Sequence, residues 1–194
     1  MNTQTSNSML KNKYLSRWKG GSWAIFCVAA FSVVNILMFL FGSDSYFLFT
    51  AYIPYFLGAL GVAFLKGMWE YPVSPALGAF LLSITAVLVI LYFVFWFFSK
   101  KKVGWLIAGT VFFALDTAFV VLFGMISGDF VSLLVDILFH ILALVEMILG
   151  VTAAVKLKKL PDNAAAAAEI SSEQAAAESI TTKDQPGISD EFKN

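Results

Sequence analysis

The chain has one cysteine, Cys27, and one histidine, His140, among 194 residues. A lone cysteine excludes an intramolecular disulfide and a thiolate metal cluster. In an apolar run its thiol behaves as a small hydrophobe. A lone histidine leaves a transition-metal site short of nitrogen, and a divalent site wants more oxygen ligands than the few acids in the apolar runs supply. No metal and no cofactor is therefore expected. The chain also lacks GxSxG, HExxH, Walker and GxGxxG motifs, so it is not expected to be an enzyme. Charge is scarce as well. Only 13% of residues are Asp, Glu, Lys or Arg, against about a quarter in ordinary soluble domains.

What fills the chain is apolar: 59% of it. A soluble protein of this size could not hide so much apolar surface, and lipid is the expected solvent. Four runs stand out: Trp23–Phe41, Ala76–Phe98, Val103–Gly124 and Phe130–Val155. Each is close to or above the roughly 20 residues that cross about 30 Å of hydrocarbon. The first run is longer than a signal-peptide core and ends in Met38-Phe39-Leu40-Phe41, with no small-residue cleavage site, so an uncleaved signal anchor is expected.

A fifth apolar stretch, Tyr46–Leu65, is different. It carries Tyr46, Tyr52, Tyr55, Thr50 and a central Pro54. Proline removes a donor and breaks a helix, and neither flank of Pro54 is long enough to cross alone.

The zero net charge hides an asymmetry. Residues 1–160 hold 11 of the 13 Lys and Arg but 6 of the 13 acids. The remaining 34 residues are acidic and Ala-rich, with no apolar stripe to bury, and a disordered tail is expected there. The bases cluster at Lys11–Lys19, Lys100–Lys102 and Lys156–Lys159. Cytoplasmic ends of spans carry excess Lys and Arg. All three clusters fall on the cytoplasmic side only if Tyr46–Leu65 dips and returns without crossing. Trp18, Trp23, Trp96 and Trp105 then lie at that same interface, where aromatic belts sit.

The expected fold class is all-α: a bundle of four transmembrane helices plus one Pro-broken interfacial or re-entrant segment, alternatively five spans, with a disordered tail. The expected domains are a cytoplasmic segment 1–22, a transmembrane domain 23–160 and the tail 161–194. The basic body predicts an anionic lipid surface at the inner face as a partner. A homo-oligomer or a membrane-protein partner is also compatible. Nucleic acid is not expected, because the bases punctuate hydrophobic spans and form no patch.

Polar groups inside the spans are the candidate site. A charged side chain at a span's centre costs about 2.5–3.5 kcal/mol, so Asp116, Asp136 and Glu146 each need a partner or a proton. The last two spans are antiparallel about a turn near residue 127. Depth along the helices then places Asp116 between Asp136 and His140, and those two are four residues apart on one face. The cluster Asp116, Asp136 and His140 is the candidate intramembrane site, with Glu146 and Asn35 secondary and Ser83 placed to join. His140 continues as a stripe through Ala143, Met147, Gly150 and Ala154, mostly small residues that let helices approach. Gly109, Asp116, Thr117 and Gly124 form the facing side. Two roles are open: a hydrogen-bonded network that holds the helices in register, or a proton relay, cation site or substrate pocket.

Phe49-Thr50-Ala51-Tyr52-Ile53-Pro54-Tyr55, Leu115-Asp116-Thr117, Asp136 with His140, and the run Gly150, Ala153, Lys156-Leu157-Lys158-Lys159-Leu160-Pro161 resemble small multi-pass membrane proteins of Gram-positive bacteria. The resemblance covers roughly residues 20–161. It implies a bacterial plasma membrane and no activity, while the placement of the basic clusters predicts that both termini are cytoplasmic. The expected function is a non-enzymatic membrane component that binds a partner or a lipid. The alternative is a small transporter or channel subunit that uses Asp116, Asp136 and His140 for a proton or cation.

Overall fold

The computed structural model describes residues 3–43, 46–69, 71–128 and 130–160. The expected tail, 161–194, lies outside the described residues. Five α-helices follow one another: α1 (Thr3–Leu40), α2 (Tyr52–Leu65), α3 (Pro75–Ser99), α4 (Val103–Ser127) and α5 (Phe130–Lys159). No strand occurs among the described residues.

Length separates α2 from the others. The 25 residues of α3 or α4 extend about 37 Å, enough to cross about 30 Å of hydrocarbon. The 14 residues of α2 extend only about 21 Å. Four helices are thus long and apolar enough to cross a membrane. At most 39% of any of their most apolar windows is buried inside the protein. The rest of each helix presents side chains such as Val87, Ile90, Val111, Leu122 and Leu138 outward. A helix that is apolar all round suits lipid, so these helices support an integral membrane protein.

Local chemistry sets the ends. Ser74 accepts a hydrogen bond from the Ala76 N–H, and Pro75 takes the first position of α3, where its missing N–H costs nothing. Gly128 ends α4 at φ 71°, a left-handed conformation open to glycine. Lys156, Lys158 and Lys159 occupy the last turn of α5, where cations favour the helix dipole. Helix α1 begins well before the apolar run and continues through it unbroken, so no break separates residues 3–22 from the first span.

Two glycine pairs bring backbones together. A Cβ on Gly150 of α5 would stand 2.7 Å from the Gly21 Cα of α1, and one on Gly78 of α3 would stand 2.7 Å from the Gly61 carbonyl of α2. The Ala143, Met147, Gly150 and Ala154 stripe is buried as its spacing predicts. Gly150 faces α1, and Ile25 of α1 fills the space above Gly109. Gly150→Leu should therefore force α1 from α5 and destabilise the bundle by about 1–3 kcal/mol or more, read as a lower melting temperature in detergent. Gly20→Ala, with nothing within 4 Å of its Cβ, should stay within about 1 kcal/mol of wild type on the stabilising side.

The two ends of the bundle differ. Gly21 meets Gly150, the Trp18 indole N–H donates to the Ser99 carbonyl at 2.9 Å, and Lys102 and Lys158 line one hollow. One end therefore gathers Lys19, Lys100–Lys102 and Lys156–Lys159. Trp18, Trp23, Trp96 and Trp105 lie at this basic end too. At the other end Lys66 Nζ donates to the Leu40 carbonyl at 2.7 Å.

That contact fixes the path of the fifth apolar stretch. Residues 46–51 run without regular structure alongside α1, and α2 then returns to Lys66, beside Leu40. Thr50 and Ala51 pair with Ser32, eight residues below Leu40, so the dip is about 12 Å deep. The segment enters the bundle from one end and returns to that end without reaching the basic end. Pro54 does not break it. It occupies the third position of α2, within the first turn, where an N–H would have no helical partner in any case.

Candidate functional site

An irregular segment packed among apolar helices exposes N–H and C=O groups that apolar surroundings cannot satisfy. Side chains of the neighbouring helices satisfy several of them. Ser32 and Asn35 are three apart on one face of α1. Asn35 Nδ2 donates to the Phe47 carbonyl at 2.7 Å, and Asn35 Oδ1 accepts the Phe47 N–H at 2.7 Å. One amide thus pairs both backbone groups of Phe47, as a neighbouring strand would. Ser32 Oγ donates to the Val28 carbonyl at 2.7 Å. It accepts from the Ala51 N–H at 2.9 Å and the Thr50 hydroxyl at 3.0 Å, which uses its full capacity of one donor and two lone pairs. Phe49 between them takes φ 69°, a strained conformation for a bulky residue that costs about 1–3 kcal/mol. Its ring packs edge-on against Phe139, centroids 4.5 Å apart.

The segment then turns into α2, whose first N–H groups have no helical acceptor. Ala51 at the cap position offers no side-chain oxygen. Asp116, from α4, supplies both. Its Oδ2 accepts the Tyr52 N–H at 2.8 Å and its Oδ1 accepts the Ile53 N–H at 2.7 Å. Pro54 has no N–H, and the Tyr55 N–H reaches the Ala51 carbonyl at 3.2 Å. Every donor of the first turn is accounted for. Asp116 is an N-cap delivered from another helix, and the positive end of the α2 dipole favours its negative charge.

His140 of α5 completes the layer. Its Nδ1 lies 2.8 Å from the Asp136 main-chain carbonyl, and its Nε2 lies 3.2 Å from Asp116 Oδ2. A carbonyl only accepts, so Nδ1 carries a hydrogen. Phe113 stacks on the imidazole, centroids 5.2 Å apart and planes within 4°. Asp116 and His140 are each 1% exposed.

Asp136 faces elsewhere. Its carboxylate accepts the Tyr46 hydroxyl at 2.7 Å, and Tyr46 stacks on Tyr55. Partial burial and the Asp136 carboxylate raise the Tyr46 phenol above its ordinary pKa, so it stays protonated as the donor. Asp136 therefore ties the start of the irregular segment to α5, while Asp116 ties its end to α4.

The structure brings Asp116 and His140 into contact, as the turn-centred spacing predicts, and adds Asn35 through the backbone of Phe47. It does not bring the Asp136 carboxylate to His140, because only the main chain of Asp136 reaches the ring. Glu146 is exposed on the side of α5, one turn from Gly150, and is not part of the layer. Ser83 is exposed and bonds back to the Ala79 carbonyl at 2.9 Å. Ser32 belongs to the layer without having been singled out in the sequence, and Tyr46 and Thr50, noted only as polar members of the fifth apolar stretch, join it as well. The pairing of Ser32 with Asn35 on one helix face was the available signal. Among the described residues no group of three His, Cys, Asp or Glu side chains is placed to hold a metal ion.

No family model, no curated protein and no solved structure matches the chain. What the polar layer does is read from its own geometry.

Proposed function

We propose that the chain is a non-enzymatic integral membrane component that binds a lipid or a protein partner. In this reading it is a multi-pass protein of a bacterial plasma membrane, related to the small Gram-positive proteins it resembles. The basic end and both termini lie in the cytoplasm, supported by the gathering of Lys19, Lys100–Lys102 and Lys156–Lys159 at one end with four tryptophans. The polar layer serves to seat the re-entrant segment.

One observation carries this reading: both Asp116 oxygens cap the N-terminus of α2. That commits the carboxylate to backbone donors and sets the positive end of a helix dipole against it. A cation would meet the same positive end. The alternative, a proton or cation carrier, draws on the buried contact of Asp116 with His140. A proton entering at Tyr46 and Asp136 would then have to pass the Asp136 main-chain carbonyl to reach His140, and a carbonyl has no proton to hand on.

Reconstituted vesicles test both function and orientation. Wild-type protein should give no proton or monovalent-cation flux above empty vesicles under an imposed gradient. In cells, a cysteine at the exposed Met68, in a Cys27→Ser background, should react with an impermeant maleimide added outside. Flux that Asp116→Asn abolishes in a folded protein would establish the carrier instead. Protection of residue 68 would reverse the orientation.

A further inference from the structure

Ser22 is the anomaly at the basic end. It is 2% exposed, and its hydroxyl has no hydrogen-bond partner. Every other buried Ser or Thr on a described helix, namely Ser32, Thr85, Ser99, Thr110 and Thr117, donates to a main-chain carbonyl three or four residues earlier. Buried polar groups are paired as a rule, so an orphan calls for an explanation.

Ser22 lines a cleft of about 340 Å³ together with Leu15, Trp18, Lys19, Trp23 and Lys100. The volume lies within the ordinary range for small-ligand sites, roughly 300–1,000 Å³. The polar side chains among its lining residues are donors. Lys19 and Lys100 are exposed, and neither forms an ion pair with a described carboxylate. The Lys100 ammonium is held 3.6 Å over the Trp96 ring, and Trp18 is fixed by its bond to Ser99. The Trp96 indole N–H beside this group is also buried without a partner. Two ammonium groups and a free hydroxyl, with no acid among the lining residues, match an oxyanion.

The position favours a lipid over a free ion. Trp23 opens the first apolar run and is 54% exposed. Lys19 lies one turn before it, so the cleft straddles the boundary between lipid tails and head groups, where Trp and Lys anchors sit. We propose that this cleft binds the phosphate headgroup of an anionic phospholipid, with Lys19 and Lys100 on the phosphate, Ser22 donating from the base, and Trp18 and Trp23 against the glycerol and upper chains. The proposal names a site for the lipid binding proposed above and rests on that reading's placement of the basic end at a membrane surface.

The test uses the full chain in a neutral detergent, titrated with short-chain phosphatidylglycerol and followed by tryptophan fluorescence. Saturable binding is expected, with short-chain phosphatidylcholine at least 10-fold weaker because its choline meets the lysines. Lys19→Gln with Lys100→Gln should weaken binding about 25-fold, about 5-fold per lysine, and Ser22→Ala a further several-fold. Lys101→Gln with Lys102→Gln removes the same charge beside the cleft and should change affinity less than 3-fold. Equal losses in the two lysine pairs would overturn the site, since the attraction would then be diffuse. Competition by equimolar inorganic phosphate would overturn the lipid and leave a free-anion site. Absence of saturation in wild type overturns the proposal outright. Circular dichroism melts confirm that each variant is folded. The flux test is independent: a missing lipid site leaves the non-carrier reading standing, and measured flux leaves the lipid site standing.

Discussion

Asp116→Ala should destabilise the bundle by about 3–5 kcal/mol, the cost of breaking a buried charged network by removing one partner. Three groups lose a partner together: the Tyr52 N–H, the Ile53 N–H and His140 Nε2. None can turn to water, because the site is buried, and Pro54 prevents α2 from recruiting a compensating donor pattern one residue later. Asp116→Asn should cost about half as much. Its one carbonyl oxygen can cap one N–H, while its amide must face the other donor. The measurement is unfolding in detergent joined with hydrogen exchange at the Tyr52 and Ile53 amides. Both amides should lose protection in the alanine variant, while those of the α3 interior keep theirs. Wild-type stability with intact protection at both amides would show that α2 is capped by something else.

The second large effect is expected at Asn35. Asn35→Leu keeps the size of the side chain but leaves the Phe47 N–H and C=O unpaired, about 1–3 kcal/mol for each orphaned group, so about 2–6 kcal/mol for the pair. The irregular segment should then detach from α1 while the four long helices stay packed through Gly21, Gly150 and the Tyr92, Phe113 and Met147 core. Limited proteolysis between α1 and α2 should accelerate at least 10-fold, with the far-ultraviolet signal nearly unchanged. Tyr46→Phe, which removes a single bond to Asp136 at the partly exposed rim, should cost about 1 kcal/mol and barely alter proteolysis. If Asn35→Leu cleaves no faster than Tyr46→Phe, the amide does not hold the segment.

These predictions show why the polar layer was only half legible beforehand. The turn near residue 127 and the helical rise place Asp116 level with His140, and the contact at 3.2 Å follows. The same spacing puts Asp136 on the His140 face, yet its carboxylate turns to Tyr46. Spacing says which side chains share a depth and says nothing about competitors arriving from a third segment. Asn35 and Ser32 show the same gap. Each is an isolated polar residue in an apolar run until the irregular segment is laid beside α1.

Pro54 is the sharpest case. As a residue in a chain it signals a broken helix, and the break suggests a kinked span or a dip. In the fold it falls within the first turn of α2, where a residue without an N–H leaves nothing to satisfy, and the capping acid comes from a helix more than sixty residues away.

By itself, the sequence determined that four runs are long and apolar enough to cross a membrane, and with them the lipid-matched surfaces, the basic end with its tryptophans and the small-residue stripe of α5. These depend on composition, rise per residue and periodicity, which are local properties. Only the tertiary structure decided which way the Tyr46–Leu65 stretch runs, what Asp116 and Asn35 hold, and that Ser22 is left without a partner. Those depend on where main-chain donors and acceptors from distant segments meet. Inside a membrane, with no water to stand in, that meeting settles what each buried polar group is for.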